Sequence, residues 1–145
     1  MSMMTEAQAR AILEKVVKMS VADECTASLD GSTNGNIRFA RNDVSTSGIV
    51  DDVELGVSVA FGKRSGAATI NQFDDASLER CVRRAEELAR LSPENPEFMP
   101  AIDKQAYKAS NTYSASTAGI TPEQRAKVAA DSIAACKAQD LVAAG

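Results

Sequence analysis

The sequence predicts an α+β fold: an antiparallel sheet of about four strands covered by two amphipathic helices, then an extended strap and a third helix. Apolar residues recur at helical spacing near the start of the chain and again after residue 74. Between these two stretches they alternate with small or polar residues, as in a strand. The predicted strands are joined by short turns, which favours antiparallel pairing because a parallel crossover needs a dozen or more residues.

The first helix is predicted over residues 5–19. Thr5 followed by Gln8 is typical of a capping box at a helix start. Ile12, Val16 and Met19 then place apolar side chains on one side of the helix. That stripe is expected to face the sheet.

Two short strands are predicted next, at residues 25–29 and 36–42. The residues between them, 30–36, are rich in Asp, Gly, Ser and Asn, which predicts a turn. Residues 43–52 are polar and are predicted to form a loop with a weak apolar centre.

The strongest strand pattern covers residues 53–61, where every second side chain is apolar. Gly62 and Lys63 begin a short turn, after which residues 65–73 are predicted to return as a paired strand. The two segments together predict a β-hairpin. Its two glycines and two cations lack the spacing of a phosphate-binding loop.

The second helix is predicted over residues 74–91. Asp74 or Asp75 can cap its start, and Ser92-Pro93 ends it. We expect its charged residues to form a solvated outer face, namely Glu79, Arg80, Arg83, Arg84, Glu86 and Glu87.

The remainder predicts a strap over residues 92–120 and a third helix, capped by Thr121, that ends near residue 137. Residues 141–145 are predicted to begin a strand. The spacing of Thr5 and Gln8 is repeated at Thr121 and Gln124, either by coincidence or because a second helix–strand repeat begins there and is cut off. The predicted organisation is therefore a domain at 1–100, a linker at 101–120 and a truncated repeat at 121–145.

Composition excludes several classes of function. The chain has 145 residues, a net charge of −4 and no His, which removes imidazole catalysis and His-based metal sites. An acidic balance without a basic run argues against direct nucleic-acid binding. No apolar stretch approaches the roughly 20 residues that span a bilayer. Cys25, Cys81 and Cys136 lie far apart, which favours reduced thiols in a cytoplasmic protein.

Several motifs occur in a fixed order along the chain: IRFARN at 37–42, STSG at 45–48, LGVSV at 55–59, GKRSG at 62–66, the helix at 77–89 and SPENP at 92–96. This ordered set resembles the N-terminal domain of the TldD/PmbA family, the "modulator of DNA gyrase" metallopeptidases. The resemblance covers nearly the whole chain. It implies a cytoplasmic, two-domain protein that acts as a homo- or heterodimer, with a domain here whose sheet helps to shape a peptide-binding cleft.

The resemblance also implies zinc for the full-length enzyme, held by a His-Glu-x-x-x-His motif in a C-terminal part. This chain has no His, so no catalytic or metal-binding residue is carried over to it. We expect no cofactor in this chain and no peptidase activity from it alone. Asp51, Asp52 and Glu54 lack regular ligand spacing and are interpreted as exposed charge.

If the domain binds peptide, strand addition to an open sheet edge would provide the contacts. The candidate residues are Arg38, Asn42, Thr46, Ser47 and Gly48. The alternative is that they are ordinary turn residues and a solvated strand charge.

The leading functional hypothesis is the non-catalytic N-terminal domain of a TldD/PmbA-like zinc peptidase, contributing to subunit association and the peptide cleft. The alternative is a stand-alone interaction module that binds a partner protein by strand addition. A nucleic-acid accessory role is disfavoured by the charge. Peptide substrate and a homologous subunit are the expected partners, without direct contact to nucleic acid or membrane.

Overall fold

The centre of the fold is an antiparallel sheet of three strands in the order β1-β2-β3. The computed structural model describes residues 4–102 and 104–145. The elements in chain order are α1 (Glu6–Met19), β1 (Glu24–Ala40), β2 (Asp43–Phe61), β3 (Arg64–Ile70), α2 (Asp75–Leu91), α3 (Ala115–Ala118) and α4 (Pro122–Lys137). The predicted α+β class is confirmed.

The described residues divide into two compact units. The first lies within Met1–Ser32 and Asp52–Gln105, and the second comprises Thr33–Asp51 and Ala106–Gly145. β1 and β2 each contribute residues to both units, whereas α4 belongs to the second. The predicted division at residues 100 and 120 stays a prediction.

The core of the first unit is built on the alternation of β2. Leu55, Val57 and Val59 are buried at every second position, as the strand pattern predicted. They pack with Val16 of α1 and with a stripe on α2 that includes Val82. Cys81 lies in the same core, so this thiol is a small apolar residue there, as expected for a free cysteine.

The helix starts follow the predicted capping chemistry. The Thr5 hydroxyl accepts from Gln8 N at 3.3 Å, and the Gln8 side chain accepts from Thr5 N at 2.9 Å. Asp74 Oδ1 accepts from Ser77 N at 3.0 Å, and hydrogen bonding to Ser77 lowers the pKa of that carboxyl. Each contact satisfies backbone donors that the first helical turn leaves free.

The hairpin between β2 and β3 is confirmed. Its two-residue turn begins at Gly62, whose φ is +56°, as a type II′ turn requires at its first central position. The register pairs Phe61 with Arg64 and Leu55 with Ile70. Arg64 Nη1 donates to the Ser92 carbonyl at 2.8 Å, so this arginine is not part of a phosphate-binding loop.

Among the described residues the sheet has three strands, two of them long, where the sequence predicted about four short ones. The turn predicted at residues 30–36 and the loop predicted at 43–52 are both strand, within a 17-residue β1 and a 19-residue β2. Both stretches are mainly exposed, so polar residues and glycine are tolerated in them. The two strands pair with each other, which supplies the backbone bonds that local turn propensity opposes.

The solvated position predicted for Glu86 is wrong. This side chain is 1% exposed and accepts from Val21 N at 2.8 Å, Ser20 Oγ at 3.2 Å and Arg83 Nη1 at 2.6 Å. Burial raises its pKa, but these hydrogen bonds outweigh burial and lower the pKa overall. Glu86 therefore joins α2 to the segment that leaves α1.

Within the strap predicted at residues 92–120, the described residues 92–102 and 104–114 form no helix or strand. Ala115–Ala118 form the short helix α3. Asn95 N donates to the Lys63 carbonyl at 2.9 Å, which fixes the start of this predicted strap. α4 begins as predicted, with a capping box between Thr121 and Gln124 and with Pro122 at the first helical turn. Among the described residues, no helix has the length and apolar character needed to cross a membrane.

Candidate functional site

The hairpin formed by the second part of β1 and the first part of β2 carries all five candidate peptide-binding residues. Its turn is Arg41-Asn42, with φ of 54° and 63°. Two positive φ values define a type I′ turn, whose twist matches that of the flanking strands. The turn thereby places Asn42 at the tip of the hairpin, beside the outer edge of β1.

Asn42 binds the backbone of segment 141–145. Its Nδ2 donates to the Leu141 carbonyl at 3.1 Å, and its Oδ1 accepts from Ala143 N at 2.7 Å. Its own backbone N donates to the Ala143 carbonyl at 3.4 Å. A single side chain thus satisfies one donor and one acceptor of an extended backbone, which an amide is suited to do.

Phe39 completes the contact with this segment. Phe39 N donates to the Gly145 carbonyl, and Gly145 N donates to the Phe39 carbonyl, both at 2.9 Å. This mutual exchange is the hydrogen-bonded pair of an antiparallel ladder. Because β1 is an edge strand of the sheet, segment 141–145 is bound by strand addition.

The Phe39 ring limits what can stand opposite it on the added strand. A Cβ atom on Gly145 would lie 2.8 Å from Cζ and 3.1 Å from Cε1 of that ring. Contacts this short require the ring to move, so the position opposite Phe39 favours glycine.

The other candidate residues do not share this contact. Among the described residues, Asn42 is the only one of the five with a hydrogen bond to segment 141–145. The Arg38 side chain is exposed, and its carbonyl accepts from Ser45 Oγ at 3.2 Å. Ser47 Oγ donates to the Asn36 carbonyl at 3.2 Å and so joins β2 to β1. Thr46 is exposed, and Gly48 is half-buried.

Sequence reasoning missed Phe39 and Gly145 as contact residues. Alternation placed Phe39 on the same strand face as Ile37, and residues 141–145 were predicted to begin a strand, but neither signal says where that segment would bind. In the structure residues 141–145 form no regular strand, although they pair with Phe39 through main-chain hydrogen bonds. Asn42 was predicted to hold a backbone amide, and here it binds that of Ala143 in the same chain. Peptide binding by the five candidate residues stays a prediction.

The described residues do not form a zinc site. Within residues 4–102 and 104–145, no group of three or more His, Cys, Asp or Glu side chains is placed to hold a metal ion. Asp30, Asp52 and Glu54 border an open hollow in the first unit. Burial raises the pKa of the Cys25 and Cys81 thiols, which keeps them in the protonated form that binds metals poorly.

A second surface lies in the first unit, where the outer edge of β3 meets α2. An open groove of about 720 Å³ runs there, with Ala68, Ile70 and Cys81 among its apolar lining. Two of the arginines beside it are paired, Arg83 with Glu86 and Arg84 with Glu87. β3 has no neighbour on this side among the described strands, so its outer edge can accept another strand.

Residues 26–89 match the family described as PmbA/TldA metallopeptidase domain 1. This match confirms the resemblance to a TldD/PmbA N-terminal domain. No curated protein matches the chain.

Among the solved structures that share the fold are three with TM-scores above 0.5. TldE from Thermococcus kodakarensis superposes with a TM-score of 0.74 at 13% identity, over 90% of this chain and 29% of that chain. A proposed modulator of DNA gyrase from Bacteroides thetaiotaomicron VPI-5482 gives 0.64 at 19% identity, over 94% and 30%. Another, from Thermotoga maritima MSB8, gives 0.58 at 14% identity, over 74% and 24%. This chain therefore spans less than a third of the length of each.

Proposed function

Since residues 26–89 match the first domain of the PmbA/TldA metallopeptidase family, we propose that this chain is a non-catalytic N-terminal domain of a TldD/PmbA-like zinc peptidase. Its role is to help form the peptide-binding cleft and to associate with a homologous subunit. The observation that supports peptide binding is the edge of β1, where Phe39 and Asn42 hold an extended segment by main-chain hydrogen bonds.

Binding through main-chain groups suits a peptidase domain because every peptide presents the same N–H and C=O pattern. Asn42 sets the register, and the Phe39 ring selects a small residue opposite it. In this proposal the zinc-dependent step belongs to another part of the full-length peptidase, and this domain contributes binding. A stand-alone interaction module would use the same edge, with a partner protein in place of the substrate.

The proposal places the chain in the cytoplasm. The three cysteines are free, as expected in a reducing compartment. Neither nucleic acid nor membrane is a proposed partner.

Peptide binding is tested with a fluorescent peptide that has the sequence of residues 140–145. Because the chain's own segment competes for the edge, we expect weak binding to the unmodified protein. Gly145→Ala should displace that segment through the Phe39 ring and tighten peptide binding about fivefold, equivalent to about 1 kcal/mol of relieved competition. With Gly145→Ala already present, so that the chain's own segment no longer competes, adding Asn42→Ala should weaken peptide binding because it removes both side-chain hydrogen bonds.

The measurement is fluorescence anisotropy, together with amide chemical shifts of residues 39–42. Lys127→Met is the control, because Lys127 is exposed and is paired with Asp131. Equal affinity of the unmodified protein, Gly145→Ala and the double variant Gly145→Ala with Asn42→Ala would contradict peptide binding at this edge.

Subunit association is proposed at the outer edge of β3. A second copy, or a homologous subunit, would pair its own β3 there and extend the sheet across a two-fold axis. Thr69 is exposed on this strand, so Thr69→Lys should shift the protein toward monomer in sedimentation velocity by placing like charges at the pairing edge. Thr26→Lys, an exposed position on β1, is the matched control, and an unchanged sedimentation profile of Thr69→Lys would exclude this edge.

A further inference from the structure

Arg125 of α4 has two hydrogen-bond donors without an acceptor. Its Nη1 donates to the Ile120 carbonyl at 3.2 Å, but Nε and Nη2 are buried and have no partner among the described residues. Buried polar groups are nearly always hydrogen-bonded, and a charged group without its partner is destabilising. The arrangement therefore indicates a missing acceptor.

The position of this guanidinium is determined by a glycine on β1. A Cβ atom on Gly35 would lie 2.6 Å from Nη1 and 2.7 Å from Cζ of Arg125. The guanidinium thus lies directly against the Gly35 backbone, in space that any other residue would fill. Both residues belong to the second unit.

Arg125 also borders an open hollow of about 360 Å³ whose other walls are mainly aliphatic. Ile37 lies on β1, while Ile120 and Val128 come from before and within α4. Ile120 and Val128 remain 45% and 67% exposed, so apolar surface is left uncovered beside a cation. Gln124 is the other polar residue at the rim.

We infer that this hollow binds a carboxylate carried on an aliphatic body, as at the C-terminal residue of a peptide. The carboxylate would accept from Nε and Nη2 together, the two-bond geometry that guanidinium and carboxylate share. The aliphatic part would cover Ile120 and Val128. Because both nitrogens lie below the surface, binding requires a small rotation of the Arg125 side chain that opens them to the hollow.

Phosphate fits this site less well than a carboxylate. A phosphate dianion needs several donors or a second cation, and the lining offers one guanidinium among aliphatic side chains. Glu123, the nearest acid along the chain, has an electrostatic interaction with Arg125 but supplies no hydrogen bond to Nε or Nη2. The inferred site is independent of the contact between Asn42 and segment 141–145.

The test titrates the full chain with N-acetylleucine and follows the Arg125 Nε–H signal and the Gly35 amide by NMR. We expect saturable shifts with a dissociation constant of about 1 mM, as suits a ligand of this size. N-acetylleucinamide, which lacks the charge, and inorganic phosphate should each bind at least about tenfold more weakly.

Three variants test whether the NMR shifts arise from a carboxylate bound to the Arg125 guanidinium. Arg125→Lys keeps the charge but loses the two-bond contact, and should weaken binding about tenfold. Gly35→Ala displaces the guanidinium without deleting it and should weaken binding as well, measured at the Gln124 amide. Lys127→Met removes a paired, exposed cation from the same helix and should leave binding unchanged.

The inference is overturned by any of three results. The first is the absence of a saturable shift with N-acetylleucine. The second is that N-acetylleucinamide or phosphate binds as tightly as N-acetylleucine. The third is that Arg125→Lys and Gly35→Ala both bind N-acetylleucine as tightly as the unmodified protein while keeping its spectrum.

Discussion

Gly66→Ala is expected to destabilise the protein by about 3 kcal/mol. The added Cβ would lie 2.5 Å from the Ala85 carbonyl oxygen and 2.9 Å from the Ala89 Cα, and it would also contact the Ala89 nitrogen. All three are backbone atoms of α2, which cannot rotate away. β3 and α2 would have to separate across the core of the first unit.

The free energy of unfolding, measured by urea titration, tests this expectation. Gly48→Ala is the matched control, because a Cβ there meets only Asn36 Oδ1 at 3.7 Å and the glycine has no positive φ. A loss below about 0.5 kcal/mol for Gly66→Ala, the range typical of surface positions, would show that helix and strand do not approach this closely.

Glu86→Ala is expected to cost about 2–3 kcal/mol. The substitution leaves the Val21 N–H and the Ser20 hydroxyl without the buried carboxylate that both donate to, and it removes the partner of Arg83. Glu87→Ala is the control on the same helix: Glu87 is 58% exposed and pairs with an equally exposed Arg84, so its loss should change stability by less than about 0.5 kcal/mol. Similar losses for both variants would contradict the distinction between a buried and a solvated carboxylate.

Glu86 also predicts a dependence of stability on pH. Its pKa in the folded protein lies below the ordinary value of 4.5, so the ionised form favours the folded state. The contribution is complete above about pH 4.5 and is lost as the pH falls through the lower folded-state pKa. In Glu86→Gln this part of the acid destabilisation should disappear, which urea titrations between pH 7 and about pH 3 would measure. If the unmodified protein and Glu86→Gln lose stability equally as the pH falls, Glu86 is not the source of this acid destabilisation.

Helix starts were predicted well because their causes are local. Thr5 and Gln8, or Thr121 and Gln124, are three residues apart, and the hydrogen bonds that they make lie within one turn. The alternation that predicts the buried side chains of β2 is equally local, since Leu55, Val57 and Val59 need only a core on one side.

The strand boundaries were predicted poorly for the opposite reason. Glycine and asparagine at residues 30–36 favour a turn in isolation, yet they lie within β1 because β2 provides hydrogen-bonding partners along its length. Glu86 was assigned to the solvated face because its neighbours in the sequence are charged, whereas its acceptor role depends on Ser20 and Val21, more than 60 residues away.

By itself, the sequence determined the α+β class, the helix caps, the apolar face of β2 and the value of Asn42 as a backbone-binding group. Each follows from interactions among residues a few positions apart. The tertiary structure alone decided that segment 141–145 pairs with Phe39, that Gly35 accommodates the Arg125 guanidinium, and that Glu86 is buried. These contacts join residues far apart in the chain, and the free energy that selects them depends on which surfaces meet in the folded protein.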